Sequence, residues 1–222
     1  MKNNMKKVLL FALCTVLLTL CASCSNDKVN NEKPISTPVV QTAPPQSKSL
    51  EELTQNTVDI VIELADGRAM NAELYPDLAP VTVENFLKLI DEDFFAGLIF
   101  HRVIPDFMIQ GGGMDKDMTE KDAVSIKGEF DANGFENPLP HERGVLSMAR
   151  LGNDNDSASS QFFIMHETSP HLDGQYAAFG KITDDASLAV VDEIATVQTT
   201  SVGMHSDVPS EPVIIKTIRR AQ

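Results

Sequence analysis

Apolar residues recur at every second position in two neighbouring stretches of the chain, residues 57–64 and 70–74. Side chains two positions apart in an extended strand lie on the same face, so each stretch would present one apolar and one polar face. Asp66-Gly67 lies between the two stretches, and this dipeptide is typical of a tight hairpin turn. The pattern predicts a β-hairpin with one face toward a core.

Two other segments show the spacing of a helix. Pro80 suits the first turn of a helix, and apolar residues follow it at positions i, i+3, i+4 and i+7 counted from Val83. A second amphipathic helix is expected over residues 187–196. Short strand-like runs separated by Gly-rich and polar loops complete the pattern, at residues 98–104, 107–111, 144–149, 161–165, 177–182 and 213–218. Many short strands with two helices predict a mainly β domain, a closed or nearly closed antiparallel barrel.

The chain ahead of this domain divides into two parts. Lysines at the start precede an apolar run over residues 8–20, which is too short for a comfortable membrane span, and small residues then lead to Cys24. This arrangement resembles a bacterial lipoprotein signal over residues 1–23, with lipid attached to Cys24; a plain secretory signal and an uncleaved anchor are the alternatives. Residues 25–49 are polar and proline-rich, which predicts a flexible tether that follows the lipidated Cys24 over residues 24–49. The expected location is extracytoplasmic, on a bacterial membrane.

Composition narrows the classes of function. The 222 residues carry 32 acidic and 18 basic side chains, a formal net charge of −14 that argues against nucleic-acid binding. A hydrophobic content of 42% suffices for a packed core. Cys14, Cys21 and Cys24 are the only cysteines, so no disulfide can staple the domain that follows.

Several other chemistries find little support in the sequence. The five histidines have no acidic or cysteine partners at ligand spacing, so no metal and no cofactor are expected. The serines between residues 157 and 160 lack the Gly-x-Ser-x-Gly pattern of a hydrolase. The run Gly111-Gly112-Gly113 lacks the Lys-Ser/Thr of a phosphate loop and predicts a turn.

Three ordered blocks hold the candidate chemistry: residues 100–112, residues 144–164 and residues 171–181. Strand geometry predicts that Met108 and Gln110 share a face, and that Phe100 and Arg102 do so as well. Burying the charge of Arg102 among aromatic residues is costly unless the arginine has a partner or a function. The alternative to a functional role is that Arg102 extends to solvent at the barrel rim.

In these blocks the chain resembles the cyclophilin family, over residues 57–220. The resemblance implies a closed eight-stranded antiparallel barrel capped by two helices over residues 50–222, with peptidyl-prolyl cis/trans isomerase activity in a groove outside the barrel. It implies that Arg102 is catalytic and that four residues form the pocket for the proline ring, namely Phe107, Met108, Phe163 and Leu172. It further implies that the remaining groove contacts come from Gln110 to the peptide backbone, Ala149, Arg150 and Gln161 along the groove, and His101 and Tyr176 at its edge.

Two details qualify this assignment. Arg150 is expected to contribute mainly through its backbone. His171 is a further substrate contact and stands where many members carry tryptophan, so weakened cyclosporin binding is expected.

The expected partners are proline-containing peptides and unfolded secreted proteins, with the enzyme acting as a monomer and bound to the membrane through lipid at Cys24. The activity fits the residues because the enzyme has only to favour a twisted amide, and a guanidinium can donate a hydrogen bond to the prolyl nitrogen. The rival hypothesis is a lipid-anchored, non-catalytic peptide-binding module or holdase that uses the same groove.

Overall fold

The computed structural model describes residues 48–221, so the predicted signal segment, Cys24 and most of the predicted tether lie outside the described residues. The strands of the described part are β1 Val58–Leu64, β2 Ala69–Leu74, β3 Leu98–Ile104, β4 Met108–Asp115, β5 Val145–Met148, β6 Phe162–Met165, β7 Ala178–Ile182, β8 Thr199–Val202, β9 His205–Pro209 and β10 Ile215–Arg220. Its α-helices are α1 Leu50–Leu53, α2 Pro80–Asp91 and α3 Asp185–Ala195. Within this range no helix combines the length and the apolar character that a membrane span requires.

Eight strands form one antiparallel sheet in the order β10-β1-β2-β7-β5-β6-β4-β3. The two edge strands approach each other, because the backbone N–H of Phe100 donates to Val213 O at 3.0 Å and that of Gly97 donates to Ile215 O at 2.9 Å. The sheet is therefore a nearly closed barrel, which confirms the predicted mainly β architecture with two principal helices.

The predicted hairpin is β1–β2, with Ile62 opposite Met70 in its register. Its apolar face, which includes Ile60, Ile62 and Leu64, is buried in the barrel interior. The helices α2 and α3 cover this interior with Phe86 and Val191, both fully buried. Regular alternation and helical spacing were therefore sufficient to locate these elements.

A second apolar cluster lies apart from the barrel interior. We call this group of buried residues the outer cluster. It consists of Tyr75, Leu78, Met108, Leu139, Val145, Phe163, Met165, Leu172 and Ala178. Leu50 and Leu53 of the short helix α1 pack against this outer cluster. Ser49 and Glu52 cap α1 reciprocally, which satisfies the backbone N–H groups at its start.

One prediction about a turn is wrong, and the sequence pattern does not indicate one of the strand pairs. Gly111–Gly113 forms part of β4 and is not a turn, because these glycines let β4 pass close to its neighbours: a Cβ on Gly111 would lie 2.8 Å from Ile99 O. The hairpin β8–β9 was not predicted, since residues 199–209 are mostly polar and exposed and show no alternation.

The strand β3 contains a bulge. Phe100 pairs with Gly111 and Arg102 pairs with Gln110, so His101 is an extra residue with no counterpart on β4. Phe100 is 0% exposed and packs in the barrel interior, whereas Arg102 lies on the outside. The expectation that Phe100 and Arg102 share a face is therefore wrong, because the extra residue changes the alternation between them.

The start of α2 depends on a buried carboxylate. Ala79 provides no side-chain cap, and the first free backbone N–H groups, those of Val81 and Thr82, donate to Glu129 at 3.0 and 2.8 Å. Glu129 is only 2% exposed. A negative charge at a helix N-terminus also interacts favourably with the helix dipole.

We expect Glu129→Ala to lower the free energy of unfolding by about 2–3 kcal/mol, because it leaves one buried and one partly buried N–H group without acceptors. Urea denaturation at neutral pH measures this change. Glu136→Ala, which removes an exposed carboxylate nearby, should have little effect. Equal stability of the two variants would contradict this role of Glu129.

Burial of His101 makes the stability depend on pH. The residue is 4% exposed, and its burial, followed by the positive charges of His205 and Arg102, lowers the pKa of His101 to about 4. Between pH 6.5 and 4 the unfolded chain therefore binds more protons than the folded one, so stability falls as pH falls through this window.

We expect His101 to contribute about 2–3 kcal/mol to the difference in unfolding free energy between pH 7 and pH 4. Urea denaturation at the two pH values should show a smaller difference for His101→Gln than for the unmodified protein. His171→Gln, at an exposed position, should retain the full difference. A His101→Gln variant with an undiminished pH dependence would refute this assignment.

Candidate active site

A surface cavity of about 140 Å³ lies at the exposed end of the outer cluster. It is lined by Arg102, Phe107, Met108, Gln110, Ala149, Arg150, Phe163, Leu172 and Tyr176. The structure thus brings together nine of the twelve groove residues expected from the sequence, although they come from three strands and the loops that follow β3, β5 and β6.

The floor of this cavity is apolar and tightly packed. Met108, Phe163 and Leu172 are all buried members of the outer cluster. Tyr176 meets Phe163 edge-to-face, with ring centroids 5.8 Å apart and an interplanar angle of 83°. Such aromatic packing fixes the ring of Phe163, so the cavity has a defined shape.

A polar edge lies directly beside this apolar floor. Gln110 Nε2 donates to Gln161 Oε1 at 2.9 Å, and Arg102 Nη1 lies 3.5 Å from Gln110 Oε1 at the limit of a hydrogen bond. Within residues 48–221, Arg102 forms no salt bridge. The guanidinium therefore keeps N–H donors that can interact with a molecule in the cavity.

Gln161 reaches Gln110 because Gly113 leaves room for it. A Cβ on Gly113 would collide with the side chain of Gln161. Gln161 lines a neighbouring cavity of about 480 Å³ instead of the apolar one, and its backbone carbonyl accepts from the N–H of Ala149 at 2.9 Å. Its contribution to the apolar cavity is thus to orient Gln110.

The side chain of Arg150 is held by its own neighbours. Its Nε donates to Gln175 O at 3.0 Å and its Nη1 donates to Leu151 O at 2.9 Å. The guanidinium lies over Tyr176 at 4.8 Å and over Phe130 at 5.0 Å from the ring centroids. These contacts make Arg150 a fixed wall of the cavity, whereas Arg102 remains available.

Two other residues that were expected in the groove, His171 and His101, do not line the cavity. His171 is exposed and its ring stacks on Phe107, with centroids 5.8 Å apart. The sequence placed His101 at the edge of the groove, but the structure buries it, and it does not line the cavity. The β3 bulge accounts for this correction, because it turns Arg102 to the outside and leaves His101 covered.

Sequence reasoning missed a buried network beneath the cavity. His141 Nδ1 lies 3.0 Å from Asp173 Oδ1, and its Nε2 lies 2.9 Å from Ser147 Oγ. The ring also stacks on Phe163, with centroids 6.0 Å apart. Burial lowers the pKa of His141 although Asp173 opposes this, so the ring is neutral at neutral pH. His141 thus joins β5, β6 and the loop that carries Leu172.

No motif could have revealed this network, because Asp173 is 32 residues from His141 in the chain. Only the adjacency of Asp173 to Leu172, a predicted pocket residue, gave a hint. Residues 48–221 contain no group of three or more His, Cys, Asp or Glu side chains placed to hold a metal ion.

Comparisons with known proteins agree with this geometry. The family model described as cyclophilin type peptidyl-prolyl cis-trans isomerase/CLD matches residues 57–220. A peptidyl-prolyl cis-trans isomerase of Acinetobacter baylyi is 46% identical over 153 residues, which cover 66% of this chain and 77% of that protein. Peptidyl-prolyl cis-trans isomerase B of Bacillus subtilis is 48% identical over 126 residues, covering 57% of this chain and 84% of the relative.

Solved structures show the same fold. The crystal structure of a Cryptosporidium parvum cyclophilin type peptidyl-prolyl cis-trans isomerase aligns with a TM-score of 0.65 and 28% identity, covering 75% of this chain and 99% of the other. The family match, the curated relatives and the apolar cavity beside Arg102 all lead to one conclusion. The chain belongs to the cyclophilin family and is a peptidyl-prolyl cis-trans isomerase.

Proposed function

We propose that this isomerase uses Arg102 to accelerate X-Pro isomerisation in unfolded secreted proteins, and that it does so outside the cytoplasm while anchored to a bacterial membrane through Cys24. The observation that carries the catalytic part is the position of Arg102, whose free N–H donors lie beside an apolar cavity and face no acidic partner within residues 48–221. The anchoring part is supported by the sequence of residues 1–24.

The chemistry sets a modest requirement for the protein. Rotation about a peptide bond has a barrier of about 18–20 kcal/mol, since the nitrogen lone pair is delocalised into the carbonyl. Uncatalysed X-Pro exchange takes roughly tens to hundreds of seconds. Exchange in milliseconds requires an acceleration of about 10⁴–10⁵-fold, or about 5.5–7 kcal/mol.

Arg102 can lower this barrier by a direct hydrogen bond. In the twisted state the prolyl nitrogen regains its lone pair and can accept a hydrogen bond. A guanidinium remains charged at every physiological pH and has five N–H groups, so it can donate to that nitrogen while another group contacts Gln110. This interaction exists only in the twisted state, which is the requirement for catalysis.

The apolar cavity supplies the second element. Met108, Phe163 and Leu172 form a floor that suits a proline ring, and Phe107 forms a side wall. Holding the ring lets the other side of the amide rotate. The Cryptosporidium parvum cyclophilin has been crystallised in the presence of the dipeptide Ala-Pro, which supports a proline-containing ligand for the equivalent cavity here.

A non-catalytic peptide-binding module would need only the apolar cavity. It would gain nothing from an unpaired guanidinium at the cavity edge, where the charge must remain partly desolvated. Arg102 therefore favours catalysis over binding alone.

We expect Arg102→Ala to lower kcat/KM on a chromogenic Ala-Pro peptide by about 10²–10³-fold, in line with the loss of one transition-state donor. The kcat/KM of Arg102→Lys should lie between that of Arg102→Ala and that of the unmodified protein, because an ammonium keeps the charge and loses the planar arrangement of donors. A protease-coupled isomerisation assay measures all three rates.

Arg219→Ala is the matched control, because it removes an exposed arginine of β10 that pairs with Glu63. Its kcat/KM should equal that of the unmodified protein. Unchanged turnover in Arg102→Ala would rule out the proposed mechanism and favour binding without catalysis.

The anchor is proposed from the residues ahead of the domain. Acyl chains contribute about 0.8 kcal/mol per buried methylene, so several chains on Cys24 would retain the protein at a membrane. The polar residues after Cys24 would then hold the catalytic domain away from the bilayer, where it can reach emerging secreted chains.

We expect the chain, expressed in a bacterium fed with labelled palmitate, to incorporate the label and to sediment with membranes. Cys24→Ser should abolish labelling and release the protein from the membrane fraction. Cys14→Ser, which changes a cysteine inside the apolar run, should leave both unchanged. Labelling that persists in Cys24→Ser would exclude lipid attachment at this residue.

A further inference from the structure

The turn between β3 and β4 carries one wall of the active-site cavity in a strained conformation. Asp106 has φ = 59°, in the left-handed region that residues with a Cβ seldom adopt, although Asp does so more often than most. Phe107 follows directly and lines the cavity. Because the backbone of Asp106 does not favour this conformation by itself, neighbouring groups must hold the turn for Phe107 to keep its place.

His166, just after β6, contacts this turn from two sides. Its Nδ1 accepts a hydrogen bond from the backbone N–H of Asp106 at 2.9 Å. Its own backbone N–H donates to Phe107 O at 2.9 Å, and the N–H of Glu167 adds a contact of 3.3 Å to the same carbonyl. His166 therefore forms hydrogen bonds with both Asp106 and Phe107.

The other side of the imidazole ring faces an ion pair. His166 Nε2 lies 3.3 Å from Asp192 Oδ1 on α3. Arg143 donates to both carboxylate oxygens of Asp192, at 2.6 and 2.9 Å, and its Nη1 also donates to His166 O at 3.0 Å. The Arg143 guanidinium holds the pKa of Asp192 below its usual value, so this carboxylate stays ionised.

These contacts define the tautomer of the ring. A backbone N–H can only donate, so Nδ1 must be the unprotonated nitrogen. An ionised carboxylate can only accept, so the ring proton lies on Nε2. If Nδ1 were protonated, both Nδ1 and the backbone N–H of Asp106 would be donors, so the hydrogen bond between them would break.

We propose that His166 is a positioning residue that holds Phe107 against the proline ring in its neutral form and releases it when Nδ1 is protonated. The proposal rests on the isomerase activity of the cavity and adds a determinant of substrate affinity remote from Arg102. Neutral His166 keeps the strained turn closed, so KM is low. The protonated ring cannot accept from Asp106, so the turn opens and KM rises while the chemistry at Arg102 is unchanged.

Charged residues lie next to His166 on the neighbouring elements. They are Asp192 on α3 and Arg143 ahead of β5, together with Asp106 in the turn and Glu167 next in the chain. His171 is a second histidine in contact with Phe107, since its ring stacks on that of Phe107. A test must therefore separate His166 from His171.

Two substitutions of His166 distinguish positioning from general structural support. His166→Asn places an amide oxygen near the position of Nδ1, so it can accept from Asp106 at any pH. His166→Leu fills similar space and accepts no hydrogen bond. The assay uses the full 222-residue chain in mild detergent with a chromogenic Ala-Pro peptide, and NMR titration with the same peptide gives its Kd.

At pH 8 we expect His166→Leu to raise KM and Kd about 3–10-fold with kcat nearly unchanged, the effect of one lost hydrogen bond. His166→Asn should stay within about twofold of the unmodified protein. Between pH 8 and pH 5.5, KM and Kd of the unmodified protein should rise by a similar factor, while those of His166→Asn should not.

His171→Asn is the matched control and should keep the pH dependence of the unmodified protein. The proposal is overturned if His166→Asn retains that pH dependence, or if a folded His166→Leu binds the peptide normally at pH 8. If His166→Leu fails to fold, the pH profile of His166→Asn still decides. NMR titration measures Kd without turnover. The test therefore still decides this proposal if Arg102 proves not to be catalytic.

Discussion

The site depends first on the register between β3 and β4. One extra residue, His101, separates two positions of β3 that pair with successive residues of β4. This bulge sends Phe100 into the barrel and Arg102 out beside Gln110, so a single strand serves both the core and the catalytic surface. If residues 100–102 alternated regularly, with no bulge, Arg102 would lie on the same side as Phe100, where its charge would have no partner.

The cavity combines a rigid apolar floor with one available cation. The floor is rigid because it is the exposed end of the outer cluster, supported from below by His141 between Ser147 and Asp173. The polar edge is equally constrained, since Gln161 lies across Gly113 to orient Gln110. Arg150 is bound to backbone carbonyls while Arg102 is not, which explains how two arginines in one cavity take different roles.

Histidines support the cavity from several directions. His141 packs beneath Phe163, His166 holds the turn of Phe107, and His171 stacks on the outer side of that ring. An imidazole ring has two nitrogens in a flat shape, which suits the positions of His141 and His166 between a hydroxyl or backbone group and a carboxylate. Prolyl isomerisation needs no proton transfer, so these rings can serve geometry alone.

The sequence alone located most of the elements and most of the residues that line the cavity. Apolar residues at every second position located the β1–β2 hairpin, helical spacing located α2 and α3, and three ordered blocks identified Arg102 and its neighbours, because these signals depend on residues close together in the chain. The tertiary structure decided the rest. It showed the β3 bulge that buries His101, the continuation of β4 through Gly111–Gly113, and the networks of His141 and His166. These features depend on strand register and on contacts between distant residues, such as His166 with Asp106 and Asp192, which no local pattern encodes.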